Sequence, residues 1–138
     1  MNKKIIIGFL LLALFSTMRA QHIIGMHKDQ LTKEMRKLYP DFVQDNSSVN
    51  STYKYLKYID KSNEQTLLVF LTDNDVCKST KLISDYTNLL DVKNNLDKNY
   101  KPSGKDKWTY TVDKETYLVT LKREKWFFSV FTSKKEKK

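Results

Sequence analysis

The chain has 138 residues, with 25 lysines and arginines against 16 acidic residues and a formal net charge of +9 at pH 7. This length fits one domain with a real core, but it leaves little room for an elaborate active site. The single cysteine, Cys77, excludes an intramolecular disulfide, so packing alone has to hold the domain together. We expect Cys77 to be a buried small apolar residue, the alternative being an intermolecular bridge.

The N-terminus has the three parts of a secretory signal peptide. Two lysines form a positively charged n-region, residues 5–15 are an uncharged apolar h-region, and residues 16–20 form a short region before the cleavage site. The apolar run is well short of the roughly 20 residues that a helix needs to cross a bilayer. We therefore predict cleavage after Ala20 and a secreted or periplasmic mature chain that does not span a membrane. Removing residues 1–20 lowers the net charge to +6.

The first half of the mature chain is predicted to be one helix followed by three strands. Residues 27–39 carry apolar side chains at the i, i+4, i+7 spacing of one helical face, and Pro40 ends the helix. A polar run over residues 44–52 predicts a loop. Three segments rich in aromatic and β-branched side chains then predict antiparallel strands joined by short turns: residues 53–59, 66–72 and 76–83.

The second half repeats this order. Residues 86–99 carry another amphipathic stripe, and Pro102 and Gly104 behind it predict a loop. Three further segments predict strands: residues 107–112, 116–123 and 126–132. Residues 134–138 form a basic tail that we expect to be disordered.

Residues 21–133 are therefore predicted to form a single α+β domain. Two amphipathic helices need an apolar surface, so we expect an antiparallel sheet of about six strands with both helices on one face. Two arrangements remain open. A local sequence similarity between residues 58–61 and 111–114 favours two α-β-β-β repeats. The alternative is a helix-and-meander domain without internal symmetry.

The element order resembles the small exported modules typified by the beta-lactamase inhibitor protein and by the outer-membrane assembly lipoproteins called SmpA/BamE. In those modules a glycine followed by a helix opens a short meander, and here Gly25 and Met26 stand just before the first predicted helix. The sequence departs from the lipoproteins because it lacks the cysteine that carries their lipid anchor. It is also similar to many secreted proteins of Bacteroidota-type bacteria. The resemblance implies binding rather than catalysis.

No residue pattern in the chain indicates a catalytic, metal or cofactor site. His22 and His27 lie close to the predicted new N-terminus, where packed neighbours rarely hold a catalytic group in place. Together with Asp29 they match no closed metal site. The acidic turn at residues 73–75 lacks the later Gly and Glu of a calcium-binding loop, and the mature chain has no glycine-rich phosphate loop. We predict no enzyme activity, no metal and no cofactor.

Aromatic residues interleaved with lysines are the feature that points to a function. A sheet face open to water and lined with Tyr, Trp and Lys is suited to binding a partner protein. The competing interpretation is that aromatic residues in strands form core or cross-strand pairs, with lysines on the other face for solubility. The residues predicted to bind a partner are Tyr53, Tyr55, Lys57, Trp108, Tyr110 and Trp126.

The sequence thus predicts an exported, non-enzymatic binding module that uses an exposed aromatic and lysine sheet face to bind a protein partner. The alternative is association of the basic chain with an anionic envelope polymer or membrane surface through charge. Salt would release binding of that second kind. Export and the scattered acidic residues argue against nucleic acid as a partner.

Overall fold

The computed structural model describes residues 22–46 and 53–138. The predicted signal peptide, residues 1–20, and residues 47–52 of the predicted polar loop lie outside this part of the chain. Within it, two α-helices, α1 (Lys28–Leu38) and α2 (Leu89–Asn99), accompany eight strands, and a one-turn 3-10 helix precedes α2. The strands are β1 (Val43–Gln44), β2 (Tyr55–Asp60), β3 (Gln65–Leu71), β4 (Cys77–Ser84), β5 (Lys101–Gly104), β6 (Lys107–Val112), β7 (Glu115–Arg123) and β8 (Phe128–Lys134).

All eight strands form one open antiparallel sheet in the order β1-β2-β3-β4-β8-β7-β6-β5. Each half of the chain contributes a helix and four consecutive strands, and the halves meet where β4 pairs with β8. Read outward from that central pair, the strand order is the same on both sides. The predicted α+β class is confirmed. The prediction of about six strands is wrong, because the described residues form eight.

The two strands that the sequence did not predict are the outermost ones. β1 has only two residues, and β5 contains Pro102 and Gly104, which predicted a loop. An edge strand pairs on one side only, so it tolerates a proline that cannot donate a backbone hydrogen bond. At the other elements, the predicted and observed bounds differ by at most two residues, except that a 3-10 helix forms the first three residues predicted for α2. β8 includes Lys134, and the Lys135 amide still donates to the Thr116 carbonyl at 2.8 Å.

Both helical segments begin at side-chain caps. The His27 side chain accepts a hydrogen bond from the Asp29 amide at the start of α1. The Asp85 carboxylate accepts one from the Thr87 amide at 2.8 Å and starts the 3-10 helix that leads into α2. Hydrogen bonds from Thr87 hold the pKa of Asp85 below its ordinary value. Such caps satisfy amide groups that the helix itself leaves without partners.

The buried apolar residues of the strands lie on the face that carries both helices, here called the helix face. The strand register places one row of side chains across it, from Leu56 through Val69 and Thr80 to Thr132, Val119 and Trp108. One core cluster packs under α1 and contains Ile23, Leu31, Met35, Leu56, Tyr58, Leu67, Val69, Leu71 and Cys77. A second packs under α2 and contains Leu96, Trp108, Val119, Leu121, Phe128 and Val130.

Trp108 anchors the α2 half of the core. It is 2% exposed, and its indole Nε1 donates to the Asp97 carboxylate of α2 at 2.8 Å. We expect Trp108→Ala to lower the free energy of unfolding by about 3–5 kcal/mol, because it leaves a cavity under the helix. Urea unfolding measures this change. Trp126→Ala is the control, since Trp126 is 76% exposed, and it should cost no more than about 0.5 kcal/mol. Equal losses in the two variants would contradict this assignment.

A substitution in the turn between β6 and β7 should increase the stability of the domain. Asp113 and Lys114 form a two-residue hairpin loop in which both residues have positive φ, 49° and 67°. This is the type I′ geometry that favours glycine at its second position. Lys114→Gly should therefore raise the free energy of unfolding by about 0.5–1 kcal/mol. Lys122→Gly, in the extended backbone of β7, should lower the free energy of unfolding by about the same amount. Urea unfolding of both variants shows whether each change raises or lowers this free energy. A loss of stability in both variants would contradict the expectation.

Candidate functional site

Three of the six predicted partner-binding residues lie together. Tyr55 and Lys57 point to the face opposite the helices, because their neighbours Leu56 and Tyr58 are buried on the helix face. Tyr53 precedes β2 and is 63% exposed.

The other three predicted residues lie elsewhere. Trp108 is buried in the core, and Tyr110 lies on the same helix face two residues further along β6. Trp126 is in the turn between β7 and β8, where Lys125 lies over its ring at 5.0 Å. The six residues therefore do not form one continuous surface. Alternation along β6 correctly separates Trp108 and Tyr110 from Thr109, but it does not say which set faces the core.

The face opposite the helices, here called the open face, has its own pattern. No helix of the described residues lies over it, since both pack against the other side of the sheet. Its central row crosses six strands and combines three lysines with apolar and neutral side chains: Lys57, Leu68, Lys81, Phe131, Thr120 and Lys107. The neighbouring row begins with Tyr55 and Phe70, whose ring centroids are 6.2 Å apart.

The strand residues of the open face are basic or neutral. Five of them are lysines, at positions 57, 81, 101, 107 and 122, and none is acidic. Two of these lysines reach carboxylates outside the strands, Lys57 to Asp45 at 3.4 Å and Lys122 to Glu124 at 3.1 Å. In the described part of the chain the other three take part in no ion pair. The open face therefore carries a positive potential.

Sequence reasoning missed Leu68, Phe70, Lys81 and Phe131 of this face. Phe131 is 41% exposed, which is unusual for a phenylalanine in a central strand. The available signal was the strand register. Once β2 and β3 are joined by their short turn, Lys57 must stand opposite Leu68. The pairing of β4 with β8 gave no such signal, because more than forty residues separate the two strands.

On the helix face, aromatic rings form a stacked column. Tyr110 stacks on Tyr100 with ring centroids 4.7 Å apart and on Tyr117 with centroids 5.1 Å apart. His22 packs edge-on against Tyr117, and its Nδ1 lies 3.0 Å from the Tyr110 hydroxyl. Burial raises the pKa of the Tyr110 and Tyr100 hydroxyls and raises the pKa of Tyr39 to about 12. These hydroxyls are therefore neutral hydrogen-bonding groups at physiological pH.

Cys77 lies in the core and is 1% exposed. This confirms the expectation that it is a buried small apolar residue. Burial raises the pKa of its thiol to about 12, and the Sγ donates to the Ser79 carbonyl at 3.7 Å. A buried thiol with so high a pKa is a poor nucleophile. Among the described residues, no three His, Cys or acidic side chains gather closely enough to hold a metal ion.

Comparison with protein-family models, curated proteins and solved structures found no match for this chain. Its surfaces are therefore interpreted from their own residues. Over residues 22–46 and 53–138, no helix has the length and apolar character needed to cross a membrane.

The contact between His22 and Tyr110 should make the stability of the domain depend on pH. Burial lowers the pKa of His22 below its ordinary value of 6.5, so the unfolded chain binds the proton more tightly than the folded chain. The contribution of neutral His22 is complete above pH 6.5 and is lost as the pH falls below it toward the folded-state pKa. Urea unfolding at pH 7.5 and at pH 5 measures the loss. His22→Gln should lose less stability over this interval, whereas an unchanged loss would exclude His22 as its source.

Proposed function

We propose that this chain is an exported, non-enzymatic binding module and that the open face of its sheet binds a protein partner. The observation that carries the proposal is the central row of the open face, in which three lysines stand among Leu68, Phe131 and Thr120 across six strands. The predicted signal peptide and the resemblance to small exported binding modules support the same conclusion.

The apolar members of the open face supply the centre of an interface. Phe131 stands in the middle of the row, next to Lys81 on one side and Thr120 on the other. Tyr55 and Phe70 add two aromatic rings in the adjacent row. Protein interfaces concentrate aromatic residues at their centre, where a few of them carry most of the binding free energy. Phe131 is the candidate for such a residue.

The charged members of the open face select the partner. Five lysines and no acidic strand residue favour a protein surface with carboxylates around an apolar centre. An anionic polymer or lipid headgroup would satisfy the lysines equally well, but it would leave Phe131, Phe70 and Tyr55 without apolar contacts. The apolar side chains therefore favour a protein partner over purely electrostatic association.

Catalysis is a weaker alternative to binding as the function of this face. Its polar strand residues are lysines, threonines and serines, and no carboxylate or imidazole of the described strands stands among them. General acid-base catalysis requires a group that titrates near neutral pH and is held against the substrate. Binding uses the residues that are present.

The proposal is tested by capturing envelope and medium proteins of the source organism on the immobilised protein, with washes at low and then at high salt. A partner identified in this way is purified and its affinity measured directly. We expect Phe131→Ser to weaken binding by at least about tenfold, which corresponds to about 1.4 kcal/mol. The complex should survive the high-salt wash, because its apolar contacts are not screened.

Phe127→Ser is the matched control. Phe127 is 37% exposed against 41% for Phe131, but it lies in the turn between β7 and β8, outside the strand rows of the open face. It should bind the partner as the unaltered protein does. Equal weakening in both variants would contradict the assignment of the open face. Capture of anionic material alone, all of it released by salt, would favour the charge-mediated alternative.

A further inference from the structure

We propose that a cavity between α2 and the chain segments that flank α1 binds a small, neutral, largely apolar molecule that carries hydroxyl or amide groups. The cavity has a volume of about 400 Å³, which is within the range that holds a small organic ligand. It lies on the helix face, on the opposite side of the sheet from the open face. The proposal is therefore independent of the protein partner proposed above.

The cavity exists because each helix covers its own half of the sheet. Its floor is the central strand pair, where Leu82 of β4 stands opposite Val130 of β8 and Thr80 stands opposite Thr132. Val92 and Leu96 of α2 line one side. The lining on the other side includes Ile23, Ile24 and Phe42, which pack with the α1 core cluster. The apolar side chains of this lining favour an occupant with an apolar body.

Polar groups lie at the two ends of the cavity. Tyr100 and Tyr110 line it at one end, and Gln65 lines it at the other. In the strand register, the rows of the helix face that contain Tyr110 and Gln65 are three rows apart. That spacing is about 20 Å along the strands. The cavity therefore suits an elongated molecule with hydrogen-bonding groups near both ends.

Amide groups at the Gln65 end are held in place by their own hydrogen bonds. The Asn63 Nδ2 donates to Asp60 at 2.7 Å, the Asn88 Nδ2 donates to the Asn63 carbonyl at 2.6 Å, and the Gln65 Nε2 donates to the Ser84 hydroxyl at 3.2 Å. Each of these hydrogen bonds uses one N–H of an amide that has two, and it fixes the orientation of the side chain. The side-chain carbonyl oxygens and the remaining N–H groups suit hydroxyl or amide groups on the ligand.

The charge of the lining excludes anions. Among the residues that the structure describes, the lining contains no lysine, arginine or histidine, and Asp91 is its one carboxylate. The tyrosines at the other end are neutral, because burial raises the pKa of each of them. A carboxylate or sulfonate placed in the cavity would lose water without gaining a cation. Burial against the apolar side chains of the lining costs free energy for a charge of either sign. We therefore infer a neutral ligand, although the chain as a whole is strongly basic.

Two fluorescent dyes with the same ring system test this proposal. N-phenyl-1-naphthylamine is neutral, and 1-anilinonaphthalene-8-sulfonate adds one negative charge to the same rings. We expect the neutral dye to bind the full chain saturably at one site. Leu82→Trp, which fills the floor of the cavity, should weaken that binding by at least about tenfold. It should leave any binding of the sulfonate dye unchanged.

Ile83→Trp is the matched control, because Ile83 is the next residue of β4 and points to the open face. It should bind the neutral dye as the unaltered protein does. Val92→Trp fills the cavity from α2, so it tests the same expectation if Leu82→Trp does not fold. Circular dichroism checks folding in each case.

Four outcomes would overturn the proposal. The neutral dye does not bind, or it binds equally well to the cavity-filling variants and to Ile83→Trp, or the sulfonate dye competes for the same site with equal affinity. Binding of the neutral dye that weakens as protein concentration rises would place a second copy of the chain in the cavity, and that result would also overturn it.

Discussion

The pairing of β4 with β8 is the interaction on which the rest of the structure depends. Six residue pairs join these strands, from Ser79 with Ser133 to Ser84 with Phe128. Without them each half would be a four-stranded sheet under a single helix, with β4 or β8 as an exposed edge. With them, the rows of side chains run without interruption from one half to the other. Both the central row of the open face and the floor of the cavity are made of residues from the two halves.

The same pairing explains why the helix face has a gap. Each helix buries only its own half, so Leu31 and Met35 pack in one core cluster and Leu96 packs in the other. Leu82 is the residue that contacts both clusters. The floor between the helices therefore remains apolar without being covered by either of them. A domain built from two similar halves leaves such a gap at the junction unless a further element or a ligand fills it.

Local patterns predicted most of the elements and the antiparallel pairing of consecutive strands, but not the pairing of β4 with β8. The spacing of Leu31 and Met35 predicted α1, and alternation in β2 separated Tyr55 and Lys57 from Leu56 and Tyr58. Whether such a set faces the core depends on strands far away in the sequence, and for that reason Trp108 was placed with surface residues. β5 was missed because Pro102 is unfavourable in a paired strand and tolerated only at an edge. Edge position is a property of the whole sheet and not of the segment.

The two faces of the sheet differ in the charges that they carry, and this difference separates their functions. The open face has five lysines and no acidic strand residue, whereas the cavity lining has one carboxylate and no basic residue. A molecule suited to one surface is therefore poorly suited to the other. Because adjacent strand residues such as Leu82 and Ile83 point to opposite faces, one sheet supports both surfaces. Binding on one face need not block the other.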